Sequence, residues 1–195
     1  AAAPLIKGCN IHGTQLCQLE VRNHAQPRVE GNQIKESEAM GLFIHSQARG
    51  TFIDNDIFDN RDPLAQVLVA SGASPVLQKN RIRDGSSGGI QFHGEGTEGW
   101  LDGNTIQGHK LAQVEVSSGA LPRISRNSVT NGSTVGMYIH DPHTAPKVSH
   151  NHIHSHEDTQ VIISHGAFPA FDHNLVEAGA GTGLLVTQSG HGIVE

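Results

Sequence analysis

Apolar residues recur along this chain at an almost constant interval. The repeated pattern is an asparagine followed two residues later by Ile or Val, with a further apolar residue three positions before the asparagine. Cys replaces the asparagine in the first copy, and the positions are Cys9, Asn32, Asn55, Asn80, Asn104, Asn127, Asn151 and Asn174. Successive copies are 23 to 25 residues apart. Such a period predicts a repeat architecture, in which each unit buries its apolar face by stacking on the next.

A second apolar pair follows in every unit, and its two members are again two residues apart. The pairs are Leu19/Val21, Leu42/Ile44, Val67/Val69, Ile90/Phe92, Val114/Val116, Met137/Ile139, Val161/Ile163 and Leu184/Val186. A spacing of two is the period of a strand, and no segment has the 3.6-residue apolar stripe of a long helix. Each unit is therefore predicted to hold at least two short strands joined by tight turns.

The constant phase of the repeat predicts that equivalent strands of successive units pair in parallel. The expected fold is all-β, a right-handed parallel β-helix of about eight turns, grouped in four two-turn blocks. Residues 1–195 are expected to form a single domain, and the start at Ala1 rather than Met indicates a fragment of a longer protein. Open β-helix ends carry unpaired strand edges, so we expect a monomer or end-to-end contacts.

Two ladders of like residues are expected along the predicted rod. The asparagines should point inward at a bend and bond to one another and to the turn backbone. The residue before each second apolar pair alternates between Gln and Gly in the order Gln18, Gly41, Gln66, Gly89, Gln113, Gly136, Gln160 and Gly183. We interpret this alternation as a packing device, in which each Gly leaves room for the Gln of the next turn.

Composition narrows the classes of function. Aromatic residues make up only 4% of the chain, which fits a core of stacked Ile, Val and Leu. The net charge of −6 argues against a nucleic-acid partner, and no apolar run approaches the roughly 18–20 residues of a membrane span. Two Cys do not make a disulfide framework, which favours an intracellular location, cytoplasmic or nuclear. No phosphate-cradling loop or other cofactor motif is present, so no cofactor is expected.

Two stretches of the chain carry a likeness to a known family. Ser74–Ile90 (SPVLQKNRIRDGSSGGI) and Gly50–Asn60 (GTFIDNDIFDN) resemble the β-helix repeats of the F-box only protein 11 and 10 group. Those repeats belong to the wider carbohydrate-binding and sugar-hydrolase (CASH) type. The resemblance implies the substrate-engaging part of an adaptor or of a ubiquitin-ligase receptor, although the sequence contains neither F-box helices nor a zinc finger.

The outer face of the second strand is the first candidate site. If Leu42 and Ile44 point inward, the residues between and after them point outward. The predicted partner-binding residues on this face are Phe43, His45, Gln91, His93, Tyr138 and His140. A row of outward aromatic and apolar groups has no structural need, and exposed apolar patches mark partner surfaces. We therefore predict a non-enzymatic module that binds a protein or peptide.

Three other interpretations remain open. His150, His152 and His173 could share an outer face and hold a metal ion, although a solvated histidine patch is the favoured explanation and no metal site is predicted. The stretch Tyr138–His143 (YIHDPH) is similar to the Asp-Pro-His stretch of alginate C5-epimerases, which implies a carbohydrate-active role, as a polysaccharide lyase or C5-epimerase, for Tyr138, His140 and His143. The third alternative is a structural spacer. No catalytic residue is predicted.

Overall fold

The structure, a computed structural model, describes residues 3–195 as a coil of short strands with three strands in each turn. We number the turns 1 to 8, from the strand that starts at Leu5 to the one that starts at Ala170. The three strands of a turn belong to three separate sheets that run the length of the coil. No helix occurs among residues 3–195, so none is present there that could cross a membrane.

The strands of each sheet come from successive turns. Sheet 1 contains Leu5–Lys7, Arg28–Glu30, Thr51–Ile53, Val76–Gln78, Trp100–Asp102, Arg123–Ser125, Lys147–Ser149, Ala170–Asp172 and Ile193–Val194. Sheet 2 contains Asn10–His12, Gln33–Lys35, Asp56–Phe58, Arg81–Arg83, Thr105–Gln107, Ser128–Thr130, His152–His154 and Leu175–Glu177. Sheet 3 contains Leu19–Val21, Leu42–Ile44, Ala65–Ala70, Gly88–His93, Val114–Ser117, Met137–Ile139, Val161–Ile163 and Leu184–Val186.

Every strand pairs in parallel with its counterparts in the turns before and after it, except that the first and last strands of each sheet have one partner. In sheet 2, for example, Ile82 lies opposite Ile57 on one side and Ile106 on the other. The inward residues form one continuous apolar core, whose largest fully buried side chains are Phe52 and Phe92. The predicted parallel β-helix of about eight turns is therefore confirmed, and it has a third strand in each turn.

The predicted asparagine ladder fills the bend between sheets 1 and 2, which we call bend 1. Each amide nitrogen donates to the side-chain oxygen of the next asparagine, as from Asn80 to Asn104 at 3.0 Å and from Asn104 to Asn127 at 3.0 Å. The same oxygen also accepts the backbone N–H of the preceding asparagine. A second hydrogen of each amide reaches a backbone carbonyl, such as that of Leu77. The ladder therefore satisfies side chains and backbone together inside the rod.

Left-handed backbone conformations turn the chain at bend 1. The residue before each ladder position has φ between 53° and 64°, and these residues are Gly8, Gly31, Asp54, Lys79, Gly103, Arg126, His150 and His173. This conformation costs a residue with a side chain roughly 1 kcal/mol. It persists here because the ladder holds the backbone on both sides.

The bend between sheets 2 and 3, which we call bend 2, explains the alternation of Gln and Gly. The Gln66 side chain covers Gly85 of the next turn, where an added Cβ would lie 2.5 Å from Gln66 Cγ. Gly89 and Gly136 instead leave room for the backbone carbonyl of the Gln one turn later and for the rings of His109 and His156. Gly89 and Gly136 thus make room for the Gln of the next turn, as expected, but for its backbone carbonyl. The expectation was wrong about the glutamine side chain, which packs over a different glycine.

Gly136→Ala should destabilise the rod, because its Cβ would lie 2.5 Å from Gln160 O and 2.5 Å from His156 Nε2. We expect the free energy of unfolding to fall by about 2–3 kcal/mol, measured by urea denaturation. Gly183→Ala is a matched control at the same repeat position, since its Cβ would meet only Val176 Cγ1 at 4.0 Å. Equal losses in the two variants would contradict this account of the alternation.

Candidate binding surface

The outer face of sheet 3 displays the residues that the sequence singles out. Leu42 and Ile44 are buried, while Phe43 and His45 are half-buried and point away from the core. Tyr138 and His140 take the same two positions four turns further along, in turn 6. The predicted inward and outward alternation of this strand is thus present in both turns.

Phe43 and His45 belong to a compact cluster, face cluster 1, which also contains Glu20 from the turn before. The Phe43 and His45 rings stack with their centroids 4.0 Å apart and an interplanar angle of 18°. His45 Nε2 lies 2.9 Å from Glu20 Oε1, and Nδ1 lies 2.9 Å from Ser46 Oγ. The hydrogen bond with His45, assisted by the charge of Arg22, lowers the pKa of Glu20. Both imidazole nitrogens are therefore occupied, and the ring is held flat against Phe43.

Face cluster 2 has the same design and consists of Glu115, Tyr138 and His140. The Tyr138 and His140 rings stack at 4.1 Å and 23°. His140 Nε2 lies 3.2 Å from Glu115 Oε1, and Nδ1 lies 3.1 Å from Asp141 Oδ1. Burial alone would lower the pKa of His140, but the two carboxylates outweigh it and raise the pKa. The cluster thus favours an imidazolium clamped between two acids.

Gln91 and His93 lie between the two clusters and differ in exposure. The Gln91 side chain points outward but is only 9% exposed, and its amide donates to Glu115 Oε1 at 2.7 Å. It therefore supports face cluster 2 and offers little surface of its own, which departs from the expectation of a contact residue. His93 is exposed, and its Nδ1 lies 3.2 Å from Ser117 Oγ.

The histidine cluster considered as a metal site is divided by the structure. His150 lies in bend 1 and stacks on His173 at 5.2 Å, whereas His152 lies in sheet 2, stacks on His154 and bonds Glu177 at 2.9 Å. His156, the last of the four histidines in this stretch, is buried inside the rod. Within residues 3–195, no group of three His, Cys, Asp or Glu side chains is placed to hold a metal ion.

The Tyr138–His143 stretch runs from sheet 3 into the following turn. His143 is exposed there, with a left-handed φ of 65°. Lys147, the nearest cation in sequence, lies on sheet 1 beyond the corner of the rod. An epimerase-like site would need a cation beside the tyrosine and the histidines, and this placement puts the cation on a different face.

A second exposed surface, on sheet 1, was not predicted from the sequence. Trp100, Arg123 and Lys147 are the first residues of three consecutive strands of sheet 1, and all three are exposed. The available signal was their common repeat position, one residue before the inward Leu101, Ile124 and Val148. Trp100 is the only tryptophan of the chain and is 37% exposed.

Comparison with known proteins agrees with this architecture. The family model described as right handed beta helix region matches residues 1–121 and 64–195, which together span the chain. The chain therefore belongs to the right-handed β-helix family. No curated protein and no solved structure gives a significant match.

Proposed function

We propose that this β-helix is a recognition module that binds an extended segment of a protein partner along the outer face of sheet 3. The observation that carries the proposal is the duplication of one cluster, since Glu20, Phe43 and His45 match Glu115, Tyr138 and His140 in residue class and contacts. Both ring nitrogens of His45 are already hydrogen-bonded, and so are both of His140. Such groups are positioned for contact and have no free nitrogen for proton transfer.

The spacing of the two clusters suits an extended peptide. Four turns at about 4.8 Å each place the clusters about 19 Å apart, which an extended chain of about six residues spans. Aromatic side chains supply much of the binding energy at protein interfaces, particularly where their orientation is fixed before binding. The stacking of Phe43 on His45 and of Tyr138 on His140 provides that fixed orientation.

The assignment of a cellular role to this module rests on a sequence resemblance. The repeats are similar to those of the F-box only protein 11 and 10 group, which supports a role as the substrate-engaging part of an adaptor or ubiquitin-ligase receptor in the cytoplasm or nucleus. A β-helix alone does not define a function, because one fold carries many. The proposal therefore depends on the two face clusters and on a peptide-binding test.

A displayed library of random peptides, selected on the whole chain, tests this proposal. Phe43→Ala and Tyr138→Ala should each weaken the selected peptides about tenfold or more, because each removes one fixed aromatic contact. Fluorescence anisotropy with a labelled peptide measures the loss. The thermal midpoint should change little, since both rings lie outside the core.

Phe58→Ala is the matched control, because Phe58 is an outward aromatic residue of sheet 2 with the Arg83 guanidinium 4.0 Å from its ring centre. Peptides that bind the parent, Phe43→Ala and Tyr138→Ala proteins equally well would refute the assignment of this face. Peptide affinity that falls as much in Phe58→Ala as in the other two variants would refute it as well.

A carbohydrate-active role is the second candidate, and the imidazole of His140 between two carboxylates and beside Tyr138 favours it. Proton transfer there would require His140 to leave one carboxylate. Turnover of a uronate polymer by the parent protein would favour this role over recognition. A structural spacer would bind neither peptide nor polymer.

A further inference from the structure

Sheet 1 carries a column of three exposed residues on turns 5 to 7. Arg123 lies opposite Trp100 on one side and opposite Lys147 on the other. Because paired strands keep register, the three side chains stand above one another at steps of about 4.8 Å. An aromatic ring and two cations are thus aligned along the rod.

The two cations of this column are not neutralised by any residue between positions 3 and 195. No carboxylate among residues 3–195 lies within ion-pair distance of Arg123 or Lys147. Like charges directly opposite each other on neighbouring strands destabilise a sheet. This pair nevertheless lies on a chain with a net charge of −6. A bound anion would relieve the repulsion.

Two of the nearby acids, Asp102 and Asp172, are engaged elsewhere. Asp102 bonds Arg126 at 2.5 Å and accepts hydrogen bonds from Ser125 and Gln78. Burial by itself would raise the pKa of Asp102, but these bonds outweigh it and lower the pKa. Asp172 lies 3.1 Å from His173 Nδ1. Glu98 lines a neighbouring cleft together with Trp100 and Arg123, but it is not within ion-pair distance of Arg123.

A shallow cleft of about 380 Å³ follows the column. Its lining includes Trp100, Arg123, Ser125, Arg126, Lys147 and Ser149. The Trp100 Nε1–H donates to Ser125 Oγ at 3.0 Å, which fixes the indole ring at the head of the cleft. Within the described part of the chain, the Ser149 hydroxyl has no hydrogen-bond partner, so it is free to donate to a ligand.

We propose that this cleft binds a phosphate monoester carried on a ring, with the phosphate on Arg123, Lys147 and Ser149 and the ring on Trp100. A phosphate dianion has three terminal oxygens, which match a guanidinium, an ammonium and a hydroxyl. The ring then lies about one turn away from the phosphate, against the Trp100 indole, which is 37% exposed and has the Arg126 guanidinium 5.8 Å from its ring centre. An aromatic ring and a sugar ring both meet this description, since the site recognises the same ester in either case. The site is separate from the sheet 3 face.

Titration calorimetry of the whole chain with inorganic phosphate, phenyl phosphate and glucose 6-phosphate tests the site. At least one ring ester should bind about fivefold more tightly than inorganic phosphate, and the tighter ester identifies the ring class. Arg123→Gln and Lys147→Gln should each weaken every ligand about fivefold or more. Trp100→Ala should remove the advantage of the ring ester and leave the affinity for inorganic phosphate unchanged.

Arg28→Gln is the matched control, since Arg28 occupies the same position of sheet 1 but pairs with Glu30 at 2.8 Å. It should bind all three ligands as the parent does. Equal affinity of the three ligands would overturn the proposal, and so would absence of heat with all of them or weakening in Arg28→Gln as large as in Arg123→Gln. The two cation variants are independent, so a folding defect in one leaves the other decisive.

Discussion

Asn104→Ala should lower the free energy of unfolding by about 4 kcal/mol, which is a large fraction of the stability of an ordinary domain. The Asn104 side chain accepts the backbone N–H of Asn80 at 2.8 Å and its amide at 3.0 Å. It also donates to the Leu77 carbonyl and to Asn127 Oδ1. Asn104 is 1% exposed, so water cannot replace these four bonds without opening the rod.

Two further variants, one at the end of the ladder and one beside it, provide the comparison for Asn104→Ala. Asn174→Ala removes the last asparagine, which is half-buried, so water can satisfy part of what is lost and the cost should be smaller. Thr105→Ala changes the neighbouring outward residue and should alter stability by no more than about 0.5 kcal/mol. Urea denaturation followed by circular dichroism measures all three variants. A loss under about 1 kcal/mol in Asn104→Ala would show that the ladder contributes little.

The asparagine ladder also shows how far sequence reasoning reaches in this fold. Stacking places equivalent positions in contact, so a residue repeated every 23 to 25 positions must meet its own copies. The parallel pairing, the inward asparagines and the outward positions of Phe43 and Tyr138 all follow from that rule. They needed no knowledge of how the chain turns between strands.

The interior of bend 2 did not follow from the repeat alone. His156 follows His150, His152 and His154 at steps of two residues, but it points inward, at the repeat position that Asn60 and His109 occupy in turns 3 and 5. The direction of a side chain at a bend depends on the local backbone conformation. The inward and outward alternation of a strand does not predict that direction, because it ends where the strand ends. A usable signal was present, because a Gln follows four residues after both His109 and His156.

The contacts within face clusters 1 and 2 were likewise beyond the sequence. The outward histidines were expected, but their stacking on Phe43 and Tyr138 depends on rotamers, as does their bonding to acids one turn away. Gln91 shows the same limit, since its outward position was predicted and its near burial was not. A repeat pattern fixes where a Cα lies more firmly than where a long side chain ends.

The buried histidines of bend 2 lead to the second large effect, a loss of stability in mild acid. His109 Nδ1 lies 2.7 Å from Gln113 Oε1, which can only accept, so Nδ1 donates and Nε2 accepts from the Gln66 amide at 2.9 Å. His156 is the opposite tautomer: Nδ1 accepts from Gly132 N–H, and Nε2 donates to the Val129 carbonyl. In both rings the added proton of an imidazolium would face another donor.

Burial is the main reason why the pKa of each histidine falls to about 4. In the unfolded chain a histidine has a pKa of about 6.5. Below that value the unfolded state binds more protons than the native state, so stability falls as the pH drops from about 6.5 towards 4. Between pH 8 and pH 5 each histidine should cost about 2 kcal/mol, and the pair about 4 kcal/mol.

Burial also lowers the pKa of His154, which adds to the acid sensitivity in the same pH range, whereas His140 and Asp141 act differently. The raised pKa of His140 gives stability that is present in acid and lost as the pH rises, so it offsets part of the effect. Asp141 has a lowered pKa, because its hydrogen bond from His140 outweighs its burial, and its contribution is lost only below about pH 4. Asp84 lies close enough to His109 to favour its charged form, and His154 disfavours a charge on His156. Burial outweighs both neighbours, so the pKa of each ring stays at about 4.

Replacing both buried rings by asparagine, the residue of turn 3 at this position, should make the rod less sensitive to acid. The double variant His109→Asn/His156→Asn loses packing and should be less stable at pH 8, but its loss between pH 8 and pH 5 should be several kcal/mol smaller. His143→Asn removes an exposed imidazole and should keep the parent's pH dependence. Urea denaturation at the two pH values gives these differences.

Nuclear magnetic resonance should show the parent's His109 and His156 rings neutral down to about pH 4. An equal loss in the parent and the double variant would show that the acid sensitivity arises elsewhere in the rod.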